Sequence, residues 1–343
     1  MLQHQLEYII HNKTKPPGAL GLLEEMALQV GLVQKTTTPV IRLPHIVVFA
    51  ADHGIAATGL VNPYPQAVTA QMVKNFLTGG AAINVFCRQN NIVLTIVDAG
   101  VNFNWSEAEL QHENFVIKKM NHGTKNYLHG PAMSAEECSK AIDAGREVVQ
   151  EIYSTGCNTI GFGEMGISNT SSASLILSSI TGIPVEQCVG KGTGASESQL
   201  RVKTTTLQQA AGLHRIHDLK TAPKALLAAV GGFEIAMMCG AFLQAAELGM
   251  VILVDGFIAS AALLLACAIE PGVQQNCLFA HCSDERGHQL MLDYLGARPL
   301  LQIGLRLGEG TGAALALPLV QAAVGFLNEM ASFASAGIDQ SSR

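Results

Sequence analysis

A single carboxylate stands between two glycines in Leu305-Arg-Leu-Gly-Glu-Gly-Thr-Gly312, immediately before an apolar, helix-like run. Glycines on both sides let a ligand come close, and burial there raises the Glu309 carboxyl toward the range of a general base. An ordinary helix start, with Thr311 as cap and Glu309 in solvent, fits the same residues. A second segment, Thr159-Ile-Gly-Phe-Gly-Glu-Met-Gly-Ile-Ser-Asn169, holds Gly161-x-Gly163-x-x-Gly166 between a strand-like run and a helix, with Glu186 twenty residues beyond Gly166. That is the form of a dinucleotide fingerprint. Glu164, however, puts a negative charge in a loop meant to approach a pyrophosphate. A smaller ligand suits it better: backbone N–H groups at Gly166, Ile167 and Ser168, ahead of Asn169-Thr-Ser-Ser172, hold one phosphate through the helix dipole while Glu164 faces ribose hydroxyls. A tight turn capped by Asn169 or Thr170 is the plain alternative.

Two further segments are less specific. Val189-Gly-Lys-Gly-Thr-Gly-Ala-Ser196, followed by Arg201 and Lys203, joins glycines to cations in a way that suits phosphate, although a Gly-rich surface loop has the same composition. Ala51-Asp-His-Gly-Ile55 puts Asp52 beside His53 at the end of an apolar run, with no Ser or Cys nucleophile signalled nearby; such a pair is more often structural. Downstream, Tyr64, Gln71 and Met72 offer a flat ring, an amide and an apolar side chain, the elements of a pocket for an aromatic base.

The elements that must position these residues follow from the apolar pattern. Ile46-Val-Val-Phe-Ala-Ala-Asp52, Leu94-Thr-Ile-Val-Asp98 and Met250-Val-Ile-Leu-Val-Asp255 are β-rich runs, each ending in a carboxylate, and read as buried parallel strands. Helix-like stretches at 67–78, 136–153, 171–180, 235–248 and 260–269 alternate with them. Alternation at this spacing implies right-handed βαβ units, whose ligands sit at the carboxyl ends of the strands, where Asp52, Asp98 and Asp255 fall. The expected fold is α/β: a Rossmann-like, mostly parallel sheet flanked by helices over 31–311, with 1–30 and 312–343 forming a small helical lobe from both chain ends.

Composition narrows the classes. Of the 343 residues, 48% are hydrophobic and 14% charged, enough apolar side chain for a thick core and too little charge for a disordered chain. The net charge of −6, without a Lys/Arg cluster, gives no field to hold nucleic acid, so small-molecule partners are expected. The apolar stretch 235–269 is broken by Gln244, Glu247 and Asp255 and reads as core, not as a membrane span. The first residues lack a basic start and an apolar stretch of signal length, so a cytoplasmic location is expected. The eight cysteines are scattered without Cys-x-x-Cys pairs, the pattern of buried thiols and not of a zinc site.

The four segments, in their order along the chain, together with Gly79-Gly-Ala-Ala-Ile-Asn84, Gly231-Gly-Phe-Glu-Ile-Ala236 and Val254-Asp-Gly-Phe-Ile258, closely resemble the nicotinate-nucleotide:dimethylbenzimidazole phosphoribosyltransferase family from about residue 20 to the end. The resemblance implies transfer of ribose phosphate from nicotinate mononucleotide to 5,6-dimethylbenzimidazole, giving α-ribazole 5′-phosphate, by a homodimer that needs neither metal nor cofactor. By position, Glu309 resembles the general base, Tyr64 and Gln71 (with Met72 beside them) residues of the base pocket, and Glu164, Gly166 (with Ile167) and Lys203 nucleotide and phosphate contacts. Asp255 and Ser283 lie in segments that approach the nucleotide. Two departures stand out: Pro63 occupies a place where a small or polar residue is expected, and His281-Cys-Ser replaces a more usual His-Arg-Ser run.

The chemistry asks for few groups. A benzimidazole that attacks C1′ through one ring nitrogen becomes cationic unless the other loses its proton, and Glu309 is the expected acceptor. Nicotinate joined through its ring nitrogen is already cationic and departs as a neutral ring bearing a carboxylate, so no general acid is needed. Attack opposite the leaving group converts a β- to an α-nucleotide, with Glu164 or Asp255 stabilising charge on the ribose. Two competing readings are a dinucleotide-dependent oxidoreductase using Gly161–Gly166 and a non-catalytic nucleotide or corrinoid-precursor sensor.

Overall fold

Every residue of the run ending before Asp52 is buried, and it forms the first of six strands among the described residues: β1 (His45–Ala51), β2 (Val93–Gly100), β3 (Phe115–Ile117), β4 (Thr159–Met165), β5 (Val251–Val254) and β6 (Cys277–Phe279). The computed structural model describes residues 1–190 and 196–339. The strands lie in the order β3-β2-β1-β4-β5-β6 and every pairing is parallel. The sheet is thus wholly, and not just mostly, parallel. Its two edge strands, of three residues each, are too short for the period-2 pattern to announce them.

Strand alternation divides the core in two. Val47, Phe49 and Ala51 face one side of β1 and pack with the helices Ala135–Ser154, Asn169–Thr181, Phe233–Glu247 and Phe257–Ile269. Ile46, Val48 and Ala50 face the other side, with Ile83 of the helix Ala82–Gln89, Leu6 and Val30 of the N-terminal helices Leu2–His11 and Leu22–Val33, and Leu317 and Val320 of the long C-terminal helix Thr311–Glu329. The two chain ends are tied together through a Lys13–Ser332 bridge and the bond from Lys13 Nζ to the Met330 carbonyl (2.6 Å), and they share one continuous core with the sheet.

The helix Thr311–Glu329 has the length and hydropathy of a membrane span, but Ala313, Ala316, Leu317 and Val320 are buried under the sheet. Pro318 inside it cannot donate to the Ala314 carbonyl, and Asn90 Nδ2 donates to that oxygen instead (3.0 Å).

On the opposite face, the helices Ala135–Ser154 and Phe233–Glu247 cross at two reciprocal glycines. A Cβ on Gly145 would stand 1.9 Å from the Met237 carbonyl oxygen, and one on Gly240 1.9 Å from that of Ile142. Helix propensity favours Gly240→Ala by about 1 kcal/mol, whereas forced overlap with a rigid backbone costs about 3 kcal/mol. Packing wins, so Gly240→Ala should lower the midpoint of thermal unfolding followed by circular dichroism; a higher midpoint would contradict the crossing.

Candidate active site

Chain connections diverge from the adjacent strands β1 and β4, one set running toward β3 and the other toward β6. Such a switch point leaves a crevice at the carboxyl ends of the strands, where open α/β sheets bind ligands. Glu164 on β4 aligns with Phe49 on β1, and Asp255 follows β5. Both are buried, and with Gly166, Ile167, Lys203 and Ser283 they line one cleft.

The floor of the cleft is the turn from β4 to the helix Asn169–Thr181. Its Gly161-x-Gly163-x-x-Gly166 spacing does not build a dinucleotide loop, because Gly161 and Gly163 lie within β4 and only Gly166 lies in the turn. Their missing side chains make room for protein: a Cβ on Gly163 would meet the Glu309 carbonyl carbon at 2.2 Å, and one on Gly161 the Ile46 side chain at 2.5 Å. Ser168, in a left-handed conformation (φ 84°), starts the helix without a side-chain cap, and its hydroxyl is buried without a partner. Asn169 instead donates to the Glu164 carboxylate. Burial, with Glu234, Asp255 and Glu309 nearby, overcomes that bond and pushes the Glu164 carboxyl up to about 8.

Lys203 reaches the same turn from the helix Glu197–His214. Its ammonium is buried and donates to Thr170 Oγ1 (3.0 Å) and the Gly190 carbonyl (3.4 Å). Burial lowers it to about 8, against the pull of Glu285. A cation beside a helix N-terminus is an anion site. The Gly-rich Lys191-Gly-Thr-Gly-Ala195 stretch expected to assist it lies outside the described residues.

Glu309 is the centre of three consecutive left-handed residues, Gly308 (φ 83°), Glu309 (φ 65°) and Gly310 (φ 83°). This conformation costs a non-glycine residue on the order of 1 kcal/mol and persists only where surroundings enforce it. Asp255 supplies the enforcement: its two carboxylate oxygens accept from Gly310 N (3.2 Å) and Ala313 N (3.1 Å), and Thr311 Oγ1 donates to the Gly308 carbonyl (2.8 Å). His281 stands 3.6 Å from the same Asp255 carboxylate; burial alone lowers its basicity, but Asp255 raises it overall. Here too the glycines admit protein and not ligand: a Cβ on Gly308 would meet Glu164 Oε1 at 2.2 Å and one on Gly312 the His281 ring at 1.9 Å. The Glu309 carboxyl turns away from solvent toward the helix Ala82–Gln89 and accepts from Ile83 N (3.3 Å). Burial raises it to about 7; the Ile83 bond lowers it and Asp255 raises it further.

Ser283 is placed by a neutral histidine. Its N–H donates to His288 Nδ1 (2.8 Å), which leaves the proton of that buried ring on Nε2, directed at Ser260 Oγ (2.9 Å). Burial and His281 hold His288 down at about 3. Cys282 is half-buried, and its thiol donates to Gln289 Oε1 (3.3 Å).

The residues expected to meet an aromatic base are less closely gathered. Pro63 and Asn62 line the cleft, but Tyr64 is 46% exposed; Gln71 lies in a neighbouring hollow with Asp52, Lys74 and Phe103, and Met72 packs half-buried under the sheet. His53 is not an Asp52 partner: Nε2 pairs with Glu234 Oε1 (2.6 Å) and Nδ1 with Ser172 Oγ (3.3 Å), all of it buried behind Gly166. Sequence reasoning did not assign that Glu234 contact, Thr170 on Lys203, or Ile83 on Glu309. Their segments were noticed, but each contact joins residues more than thirty positions apart, which local spacing cannot report. Among the described residues no group of three or more His, Cys, Asp or Glu is placed to hold a metal ion.

A family model described as phosphoribosyltransferase matches residues 1–338. The chain is 51% identical to the nicotinate-nucleotide–dimethylbenzimidazole phosphoribosyltransferase of Janthinobacterium sp. (strain Marseille), over 99% of this chain and 96% of that one. It is 53% identical to the protein of the same name from Cupriavidus necator, with the same coverage. The crystal structure of CobT from Thermus thermophilus superimposes with a TM-score of 0.93 at 40% identity, covering 99% of both chains.

Proposed function

The chain belongs to this phosphoribosyltransferase family, and on that premise we infer that it transfers the 5-phosphoribosyl group of nicotinate mononucleotide to 5,6-dimethylbenzimidazole, giving α-ribazole 5′-phosphate and nicotinate. The observation that carries the reaction onto particular residues is the buried Glu309 carboxyl, bonded to the Ile83 N–H and raised to about 7 beside the cleft. A carboxylate of that basicity takes a proton from a benzimidazole N–H as the other ring nitrogen bonds to C1′. Nicotinate departs with the bonding pair and needs no proton. Lys203 and the N–H groups of Gly166 and Ser168 hold the 5′-phosphate, whereas the Ile167 N–H, expected to join them, is taken by Thr69 Oγ1 (3.2 Å) and leaves Ile167 to line the cleft. Glu164 faces the ribose and Ser283 the nucleotide, whereas Asp255 acts chiefly by holding the Glu309 loop, since both its oxygens are engaged there. Tyr64 meets the base when the 59–66 loop folds over it, and Gln71 and Met72 complete that pocket from the helix Val68–Leu77, which must shift with the loop. The protein works as a cytoplasmic homodimer without nucleic-acid or membrane partners, in keeping with its net charge of −6.

Mixing the protein with nicotinate mononucleotide and 5,6-dimethylbenzimidazole should release nicotinate, followed by chromatography, only when both are present. Absence of release at high enzyme concentration overturns the assignment. NAD-dependent stabilisation without a response to nicotinate mononucleotide would favour the oxidoreductase reading instead.

Lys203→Met should weaken binding of nicotinate mononucleotide by roughly tenfold to a hundredfold, the loss of one charge-assisted hydrogen bond. Calorimetric titration measures it, and an unchanged Kd would remove Lys203 from the phosphate site.

A further inference from the structure

Nicotinate mononucleotide carries two anions at opposite ends of its ribose, the 5′-phosphate and the pyridine carboxylate. The cleft presents three acidic side chains, Glu164, Asp255 and Glu285, and, among the described residues, two from Lys or Arg, Lys203 and Arg306. Lys203 is committed to the wall formed by Thr170 and Gly190, beside the helix N-terminus that suits the phosphate. Arg306 is on another wall, in the loop that carries Glu309. Its side chain is exposed, and no described residue supplies it with an acceptor.

The backbone under Arg306 is nonetheless fixed. Asp284 N donates to the Leu305 carbonyl and Cys282 N to that of Leu301 (both 2.9 Å), and Asp255 holds the loop at Gly310. Arg306, Leu307 and Gly308 line the cleft, while the Glu309 carboxyl turns to Ile83, outside the residues that line it. One loop therefore offers a cation to the cleft and a base away from it. Displacement at C1′ requires this division, because the incoming base and the departing pyridine occupy opposite faces of the ribose.

We propose that Arg306 is the specificity residue that binds the pyridine carboxylate of nicotinate mononucleotide, so that the enzyme selects the nicotinate nucleotide over its uncharged carboxamide counterpart. The guanidinium fork matches a carboxylate in two parallel hydrogen bonds and finds no such partner in a carboxamide. This rests on nicotinate mononucleotide being the substrate.

The test measures Kd by calorimetry for nicotinate mononucleotide and nicotinamide mononucleotide in the wild type, Arg306→Gln and Lys203→Met. Arg306→Gln should weaken the nicotinate nucleotide about tenfold or more and leave the nicotinamide nucleotide within about twofold, collapsing the preference between them; Lys203→Met should weaken both equally. Arg306→Lys should recover part of the lost affinity. Equal weakening of both nucleotides by Arg306→Gln places Arg306 on the phosphate and overturns the proposal, as does an unchanged preference. A wild-type protein that binds neither nucleotide strikes instead at the reaction inferred above.

Discussion

Glu309→Gln should lower kcat by about 10²- to 10⁴-fold, the usual contribution of a positioned general base, while the far-ultraviolet circular dichroism stays that of the wild type. Glutamine keeps the shape of the side chain and the acceptor for Ile83 N, so the loss isolates proton removal from packing. The wild-type rate should fall as pH drops through about 7, where the buried carboxyl takes up its proton, and the residual rate of the variant should lack that limb. Steady-state kinetics from pH 5.5 to 9 on both proteins decides the matter (a range chosen to span about two units around that value). A variant within threefold of wild type would dismiss Glu309 as the base.

Stability should move the other way. An unfolded glutamate titrates at about 4.3, and the folded protein raises Glu309 above that value, so the folded state binds this proton more tightly. Stability from this group is therefore present at low pH and is lost as pH rises from the unfolded value to about 7. Above pH 7 the buried charge is a net cost, which Glu309→Gln removes. At pH 8 the variant should unfold at a higher temperature than the wild type, and near pH 5 the difference should shrink. The ordering of the midpoints, opposite to that of the activities, is the signature of a residue kept for chemistry at the expense of the fold.

The parallel sheet was legible because β1, β2 and β5 are long enough to show a buried apolar run, and the carboxylates at their ends pointed to the correct edge of the sheet. β3 and β6 were not legible, since three residues carry no period. The helix Glu197–His214 went unread as well: its Thr- and Gln-rich sequence shows no apolar stripe, although it carries Lys203. At the site, Glu309 was visible as an isolated carboxylate between glycines, but the glycines misled. Their spacing suggests a ligand approaching the backbone, whereas Gly163, Gly308 and Gly312 are small because protein atoms occupy the space of their side chains. Likewise Asp52-His53 suggested a pair, and folding gave His53 to Glu234 instead. Neighbours in sequence at a strand end point in different directions, so adjacency says little about contact.

That reading of the glycines yields the second large effect. Gly163 lies inside β4, opposite Val48, and its φ is ordinary, so conformational freedom does not explain it. A Cβ there would stand 2.2 Å from the Glu309 carbonyl carbon, 2.4 Å from its oxygen and 2.4 Å from Gly310 N, all backbone atoms. The loop cannot yield without stretching the bonds from Gly310 N and Ala313 N to Asp255. Gly163→Ala should therefore displace Glu309 with its chemistry intact, and a shift of about 1 Å costs on the order of 10²-fold in rate. Overlap should also cost about 1–3 kcal/mol of stability. Gly161→Ala is the control, two residues earlier on the same face of β4: its nearest obstruction is the end of the Ile46 side chain at 2.5 Å, which can rotate, with Ala313 Cβ at 3.1 Å. Its kcat should fall far less. Equal losses in the two variants would mean that β4 responds to any added methyl group; a loss confined to Gly163→Ala, with Kd for nicotinate mononucleotide little changed, identifies the strand as the anvil against which the Glu309 loop is set.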